Sequence, residues 1–325
     1  FTLAADGHNM TKSLGNAIEV DDLLKQHGAD ICRWWTASAN YVNDIKVDWE
    51  FFRVASDEYR KIRNTMRFAL GNLADFDPAK DRYRFSDDDR HSIDAWAMQE
   101  LAKLDATVRK GFDDYQFKRV AEAIFDFCNE TMSAVYMAAA KDRLYCDAAD
   151  SPRRRRTQTV LFDIADSLMR LLAPILVHTA DEAWMTLHHQ DENSEVSIHL
   201  EHLPEPFDWP VDKGWDLVLE IRADALKRLE EAKEDQGIPN PMDAGVVAGL
   251  PDEERSALEP YLHELADLCG VSRFDVEASD ERSVRIVDLR DHPRCERSWK
   301  RDGTVHERSD GGWLSDRDAG VLGLV

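Results

Sequence analysis

The stretch His8-Asn9-Met10-Thr11-Lys12-Ser13-Leu14-Gly15-Asn16 places two hydroxyls, a lysine and a glycine within a few positions, and acidic, helix-like sequence follows it. A lysine ammonium can neutralise charge that develops on transferring phosphoryl oxygens, while hydroxyls and backbone amides hold the remaining oxygens. An exposed polar turn that contains a lysine has the same composition. A pattern this short therefore leaves both interpretations open.

Further stretches along the chain carry a resemblance to a known family. They are residues 48–50, 60–65, 72–78, 141–147, 151–155, 171–176 and 295–299. Together with the loop, they resemble the class I aminoacyl-tRNA synthetases, and within that class the bacterial-type isoleucyl-tRNA synthetases, over nearly the whole length. The second signature of the class usually reads Lys-Met-Ser-Lys-Ser-Leu-Gly-Asn. Here Asn9 stands at its first lysine and Thr11 at its first serine, so one charge is missing and the hydroxyl is kept.

The resemblance implies what the loop does. In the family it closes over ATP with Mg²⁺, and its second lysine stabilises the pyrophosphate leaving group while isoleucine attacks the α-phosphate. Lys12 stands at that position, so we expect it to be catalytic through electrostatic stabilisation, without a covalent bond to the protein. The ATP-binding loop would consist of Met10, Thr11, Lys12 and Ser13. The full-length relatives then transfer isoleucine to tRNA(Ile), which would be the partner.

The sequence provides only one edge of such an active site. It opens on Phe1 rather than Met, and no His-Ile-Gly-His-type motif, nucleotide-binding sheet or editing domain precedes the loop. We therefore expect a C-terminal portion of a longer ligase that is inactive alone. Two alternatives stay open: a stand-alone tRNA- or RNA-binding module, and the equivalent portion of a valine–tRNA ligase. The tail and the 141–147 stretch favour isoleucine, but the amino-acid pocket lies outside the chain.

Composition limits the class of protein further. The 325 residues are 43% hydrophobic with a formal net charge of −23, and such acidity points away from nucleic acid unless local basic clusters exist. No apolar run of about 18 residues occurs, so we expect no membrane span. Five cysteines without paired spacing fit a reducing compartment. We expect a cytoplasmic monomer.

Apolar periodicity predicts a mainly α fold, with a helical bundle followed by a small α/β module. Long helices are predicted from about Trp49, from Ser86, near 116–140 and after Ser151, with a break at Pro174. Short strands are predicted at 246–250, 271–276 and 284–289, with a helix between the first two. The expected segments are 1–50 as the end of the catalytic domain with connecting helices, 51–205 as an anticodon-binding bundle, 206–290 as the α/β module and 291–325 as a degenerate zinc-knuckle tail.

Two arginine clusters stand out from the acidic background. Those of the first long helix share one face, where pairing with Asp57 and Glu58 is the alternative to RNA contact. The arginines after Ser151 occupy the first turn of a helix and oppose its macrodipole, which destabilises the helix by about 0.3–1 kcal/mol per charge. Asp147 and Asp150 could compensate them. Because the family's bundle straddles the anticodon stem, the candidate tRNA-binding residues are Arg60, Arg63, Arg67, Arg153, Arg154, Arg155 and Arg156. On the macrodipole argument, alanine at 153–156 should leave thermal stability unchanged or slightly higher.

The tail departs from the family at the positions of a four-cysteine zinc knuckle. These knuckle positions are Cys295, Ser298, Ser315 and Asp318, of which one carries a sulfur. Serine is a poor zinc ligand, and one aspartate does not replace three soft sulfurs, so we expect no zinc. A rescue site using His306 can be drawn, but ordinary loop histidines are commoner. The tail has few apolar residues, so we expect Trp299 and Trp313 to pack together in place of a core.

Overall fold

Helices make up most of the structure, which confirms the predicted mainly α fold. The computed structural model describes residues 1–189 and 194–324, with Lys12 described in its backbone only. The α-helices are α1 Val20–His27, α2 Ala29–Ser38, α3 Trp49–Gly71, α4 Ile93–Asp113, α5 Phe117–Asp126, α6 Met137–Cys146, α7 Pro152–Leu172, α8 Val177–Leu187, α9 Gly214–Asp235, α10 Asp252–Leu258, α11 Leu262–Cys269 and α12 Asp316–Leu322. A π-helix, Phe127–Tyr136, connects α5 to α6. The strands are β1 Thr2–Ala4, β2 Ile45–Val47, β3 Ala244–Leu250, β4 Arg273–Ala278, β5 Ser283–Asp288, β6 His306–Glu307 and β7 Trp313–Leu314. None of the described helices combines the length and hydropathy needed to cross a bilayer.

Two compact units interleave along the chain. The first consists of Phe1–Asp75, Glu100–Ser133 and Leu161–Trp209, and the second of Phe76–Gln99, Ala134–Val160 and Pro210–Val325. These units do not follow the four segments expected from the sequence. The segments stay a prediction about the parts of a longer protein.

In the first unit, α3 packs through the apolar face that its spacing predicts. Phe52, Ile62 and Met66 are at most 2% exposed, and burial of such a stripe is what stabilises a helix of this length in water. The Tyr59 hydroxyl lies 3.0 Å from the Thr179 hydroxyl of α8. The arginines of α3 are consequently left on the face that is not buried.

The N-terminus of α8 is capped by a side chain that lies far away in the sequence. The predicted break at Pro174 separates α7 from α8 and leaves the first N–H groups of α8 without intrahelical partners. Asp30 of α2, 7% exposed, accepts a hydrogen bond from Thr179 N at 2.7 Å and one from His178 N at 3.3 Å. A carboxylate at this end of a helix is stabilising. The start of α8 therefore depends on α2.

The second unit contains the predicted α/β module. Its sheet has the order β4–β3–β5, with β3 parallel to β4 and antiparallel to β5. The connection from β3 to β4 runs through α10 and α11, as a parallel pair requires. All seven residues of β3 are buried, as expected for a central strand covered on both faces. Leu229 of α9 packs in a cluster with Val246 and Val271.

The tail is ordered around a small core of its own, so the expectation that it lacks one is wrong. Cys295, Val305, Leu314 and Ala319 are at most 7% exposed and pack together. Trp299 and Trp313 are 56% and 41% exposed and do not provide this core. Four buried side chains form this core, and a count of large apolar residues overlooks it.

Candidate functional site

The loop after β1 is closed by one amide side chain. Thr11 N donates to Asn16 Oδ1 at 2.9 Å, and Asn16 Nδ2 donates to the Asn9 carbonyl at 3.2 Å. Gly15 has a φ of +63°, a conformation that glycine adopts without steric cost. Within the closed loop, Lys12–Leu14 forms a 3₁₀ turn. Asn16 therefore fixes both ends of the turn that carries the lysine.

The two hydroxyls of the loop are exposed and hydrogen-bond to each other. Thr11 and Ser13 are exposed, and their hydroxyl oxygens lie 3.2 Å apart. Met10 is half-buried. The side chain of Lys12 lies outside the described atoms, so its catalytic role stays a prediction. The sequence analysis missed the closing role of Asn16; an asparagine after a turn glycine, whose amide can bond to nearby backbone, was the available signal.

On α3, the three candidate arginines differ in their partners. Arg60 pairs with Asp57 at 3.0 Å, in agreement with the alternative of a solvated helix face. Arg63 and Arg67 form no hydrogen bond or ion pair with any residue that the structure describes. Both line a groove of about 410 Å³ between α3 and α8, whose other lining residues are Met66, Leu70, Gly71, Thr179, Glu182, Ala183 and Thr186. These two guanidiniums keep all their donors available.

The arginines at the start of α7 already have protein partners. Arg153 donates to both carboxylate oxygens of Asp147 at 2.8 Å. Arg154 donates to the Leu144 carbonyl at 3.0 Å. Arg155 donates to Gln158 Oε1 at 2.8 Å and lies 3.6 Å from Asp81. Contact between RNA and these residues stays a prediction, but such contact would compete with bonds already formed.

Arg156 is less exposed than Arg153 and Arg155. Its side chain is 12% exposed, its Nε lies 2.8 Å from Asp94, and it also donates to Asp89. Asp89, Asp94 and Asp147 are therefore among the anions that compensate this helix terminus. These contacts argue against the expectation that alanine at 153–156 leaves thermal stability unchanged or slightly higher. Removing Arg156 would leave Asp94, which is fully buried, with one cation fewer, and we now expect a loss of stability.

A buried ionic network surrounds Arg143, and the sequence analysis missed it. Arg143 of α6 is fully buried, donates to Glu264 of α11, and lies 3.4 Å from both Asp94 and Asp267. The Tyr136 hydroxyl donates to Asp94 at 2.6 Å. The network ties the start of α4, helix α6 and helix α11 together within the second unit. A single arginine in an amphipathic helix gives no sequence signal that it is buried.

The four knuckle positions lie together in the tail. Cys295 Sγ donates to Asp318 Oδ2 at 2.9 Å, and Ser315 Oγ lies 3.1 Å from the same oxygen. Ser298 Oγ is buried without a well-formed hydrogen bond to any described residue. Among the residues that the structure describes, no group of three or more histidine, cysteine, aspartate and glutamate side chains is arranged to hold a metal ion. One thiol, two hydroxyls and one carboxylate do not fit structural zinc.

Two family models match the chain. The model described as "tRNA synthetases class I (I, L, M and V)" matches residues 1–48, which contain the loop. The model described as "Anticodon-binding domain of tRNA ligase" matches residues 94–248, which contain α4 to α9 and most of β3. Helix α3, with its groove arginines, lies between the two matches.

Curated relatives match over nearly the whole of this chain. The isoleucine–tRNA ligase of Desulfitobacterium hafniense is 35% identical over 99% of this chain and 36% of its own length. That of Persephonella marina is 37% identical over 98% of this chain and 35% of its own. The chain thus spans about a third of the length of these relatives. Among solved structures, the methionyl-tRNA synthetase of Mycobacterium tuberculosis has a TM-score of 0.47 at 21% identity, covering 65% of this chain and 43% of that one.

Proposed function

Since the chain belongs to the class I tRNA synthetases, we propose that it is the C-terminal portion of an isoleucine–tRNA ligase. The observation that carries the proposal is the identity of 35–37% that runs along nearly the whole chain to two such ligases. The alternatives of a valine enzyme and of a stand-alone module have no comparable support. On this proposal the complete protein is a cytoplasmic monomer that activates isoleucine with ATP and transfers it to tRNA(Ile).

The loop would provide charge stabilisation in the activation step. With MgATP bound, the Lys12 ammonium would neutralise negative charge on the departing pyrophosphate, and the Thr11 and Ser13 hydroxyls would hold phosphate oxygens. The closure of the loop by Asn16 supports this role, because a pre-organised turn does not have to be ordered again in each reaction cycle. Met10 would pack beneath the loop rather than contact the nucleotide.

Contact with tRNA would be made first by the groove arginines of α3. Arg63 and Arg67 have unused donors on an exposed helix face, and guanidinium forks bind phosphate in a bidentate way. Arg60 stands one turn away and would add a third contact by leaving Asp57. The exposed parts of Arg153, Arg154 and Arg155 would contribute further phosphate contacts. Arg156, paired with Asp89 and Asp94, would position its neighbours instead.

Isoleucine- and valine-dependent exchange of pyrophosphate into ATP tests the proposal. The full-length enzyme should catalyse the isoleucine-dependent reaction with the higher kcat/KM, and the 325-residue chain alone should catalyse neither reaction. Exchange that depends on valine with the higher kcat/KM would assign the chain to the other ligase. A natural reading frame with no nucleotide-binding fold upstream of Phe1 would favour the stand-alone module.

A further inference from the structure

The tail keeps the spacing of a zinc site without its sulfurs. Cys295 and Ser298 form one pair separated by two residues, Ser315 and Asp318 form another, and residues 299–314 lie between the pairs. Four cysteines at this spacing are typical of a structural zinc site. The fold still brings both pairs together, since Ser315 N donates to Cys295 Sγ at 3.5 Å and Cys295 Sγ donates to Asp318. Something other than four sulfurs must hold them there.

We propose that the Asp318 carboxylate takes the place of the metal as the centre that joins the two halves of the tail. It accepts from Cys295 of the first pair and bonds to Ser315 of the second through the same oxygen. The backbone N–H of Asp318 donates to Ser315 Oγ at 3.2 Å, which closes the second pair on itself. Asp318 is fully buried, so these bonds form in a low dielectric, where they are strong.

The charges around Asp318 match a carboxylate and oppose a metal ion. Arg317 donates to Asp318 Oδ1 at 3.2 Å, and Arg297 Nε lies 3.8 Å from the same oxygen. Both guanidiniums face the buried anion, although Arg317 also pairs with Asp142 at 3.1 Å, and a divalent cation added at this point would be repelled by both. Burial raises the pKa of Asp318, but the hydrogen bond from Cys295 and the charge of Arg317 outweigh it, so the pKa is lowered overall. Asp318 is therefore an anion at neutral pH.

Cys295 already has a protein partner where zinc would need it as a ligand. Its Sγ donates to Asp318 Oδ2 at 2.9 Å, and a zinc ligand would have to give up this hydrogen bond together with its proton. His306 does not rescue the site, because its side chain is 58% exposed and its Nδ1 lies 3.0 Å from the Thr304 carbonyl.

The first test removes the charge and keeps the shape. In the 325-residue chain, Asp318→Asn should make the Cys295 thiol react with an alkylating reagent about tenfold faster or more, because a buried hydrogen-bonded charge is lost. Peptide mass mapping separates Cys295 from the other cysteines. Glu307→Gln, the same chemical change at an exposed position of β6, is the matched control and should leave the rate unchanged. An equal rate in Asp318→Asn and the control would overturn the proposal.

The second test measures the zinc content of the chain and the effect of EDTA on its melting temperature. Chain purified without chelator should contain under about 0.1 zinc per molecule, and EDTA should not shift its melting temperature; stoichiometric zinc would overturn the proposal. The variant Ser298→Cys/Ser315→Cys/Asp318→Cys restores four thiols at converging positions and should bind about one zinc, with a melting temperature that EDTA lowers. A folded variant that binds no zinc would show that the four positions do not converge. If the variant does not fold, the Cys295 labelling experiment decides alone.

Discussion

Arg143 donates to Glu264 in an interior where neither side chain is more than 1% exposed. Asp94 and Asp267 each lie 3.4 Å from the same guanidinium. One fully buried cation thus faces three carboxylates, and Arg156 shares Asp94 with it at 2.8 Å. Such a cluster is stable only as long as its cations remain, since each carboxylate has already lost its hydration.

Replacing the central cation should be costly. Arg143→Met should lower the free energy of unfolding by about 3–5 kcal/mol, because three buried carboxylates lose their shared partner. Arg228→Met is the matched control: Arg228 pairs with Glu231 on the exposed face of α9, and its loss should cost under about 1 kcal/mol. Urea denaturation measures both. Equal losses in the two variants would show that the network adds nothing beyond a surface pair.

The Lys12 ammonium should act on the chemical step alone. In the full-length enzyme, Lys12→Ala should slow isoleucyl-adenylate formation by roughly 10²–10³, the usual effect of removing one charge-stabilising donor. The melting temperature should not change, since the neighbouring residues Thr11 and Ser13 are exposed. Pyrophosphate exchange measures the rate. Exchange at the normal rate in this variant would remove Lys12 from the active site.

The groove arginines should account for part of the salt dependence of tRNA binding. In the full-length enzyme, Arg63→Ala/Arg67→Ala should weaken binding and make the slope of log K against log salt concentration shallower by about 2, one unit for each phosphate contact. Arg53→Ala is the control, because Arg53 lies on the same helix but is held by Asp57 at 3.3 Å and by Glu50. A slope equal to that of Arg53→Ala would show that the groove does not bind the RNA backbone.

Asp142 should link the stability of the second unit to pH. Burial raises its pKa, but the hydrogen bond from Arg317 and the charge of Lys300 outweigh it and lower the pKa to about 2. The unfolded carboxyl titrates near 3.8, so the stabilisation is complete above about pH 4 and is lost as the pH falls through about 2. Asp142→Asn should cost roughly 2 kcal/mol at pH 7, and this cost should shrink as the pH approaches 2 and vanish below it.

Urea denaturation at several pH values, with and without the Asp142 substitution, measures this dependence. Asp252→Asn changes an exposed residue of α10. Between pH 7 and 2, its free energy of unfolding should follow that of the unchanged chain at a constant difference. If the free energies of unfolding of Asp142→Asn and of the unchanged chain differed by a constant amount over that range, the titration of Asp142 would not be linked to folding.

Local patterns predicted the helices well and tertiary partners poorly. The stripe through Ile62 and Met66, the break at Pro174 and the strand–helix–strand order after residue 243 follow from spacing and backbone chemistry, and the structure confirms them. The burial of Arg143 could not be predicted, because its partners Asp94 and Glu264 lie 49 and 121 residues away. For the same reason the burial of Arg156, a candidate tRNA-binding residue on sequence, could not be predicted.

The capping of α8 by Asp30 has a consequence for the order of folding. Asp30 and Thr179 are separated by 149 residues, so the terminal N–H groups of α8 gain their acceptor only after a long loop has closed, and such contacts form slowly. α8 should therefore become firmly ordered late in folding. A shortened chain that begins at α3 would lack Asp30, and the helix opposite Arg63 and Arg67 would fray at the end that faces Tyr59. The residues before α3 should thus be needed for the N-terminus of α8 to be fully ordered.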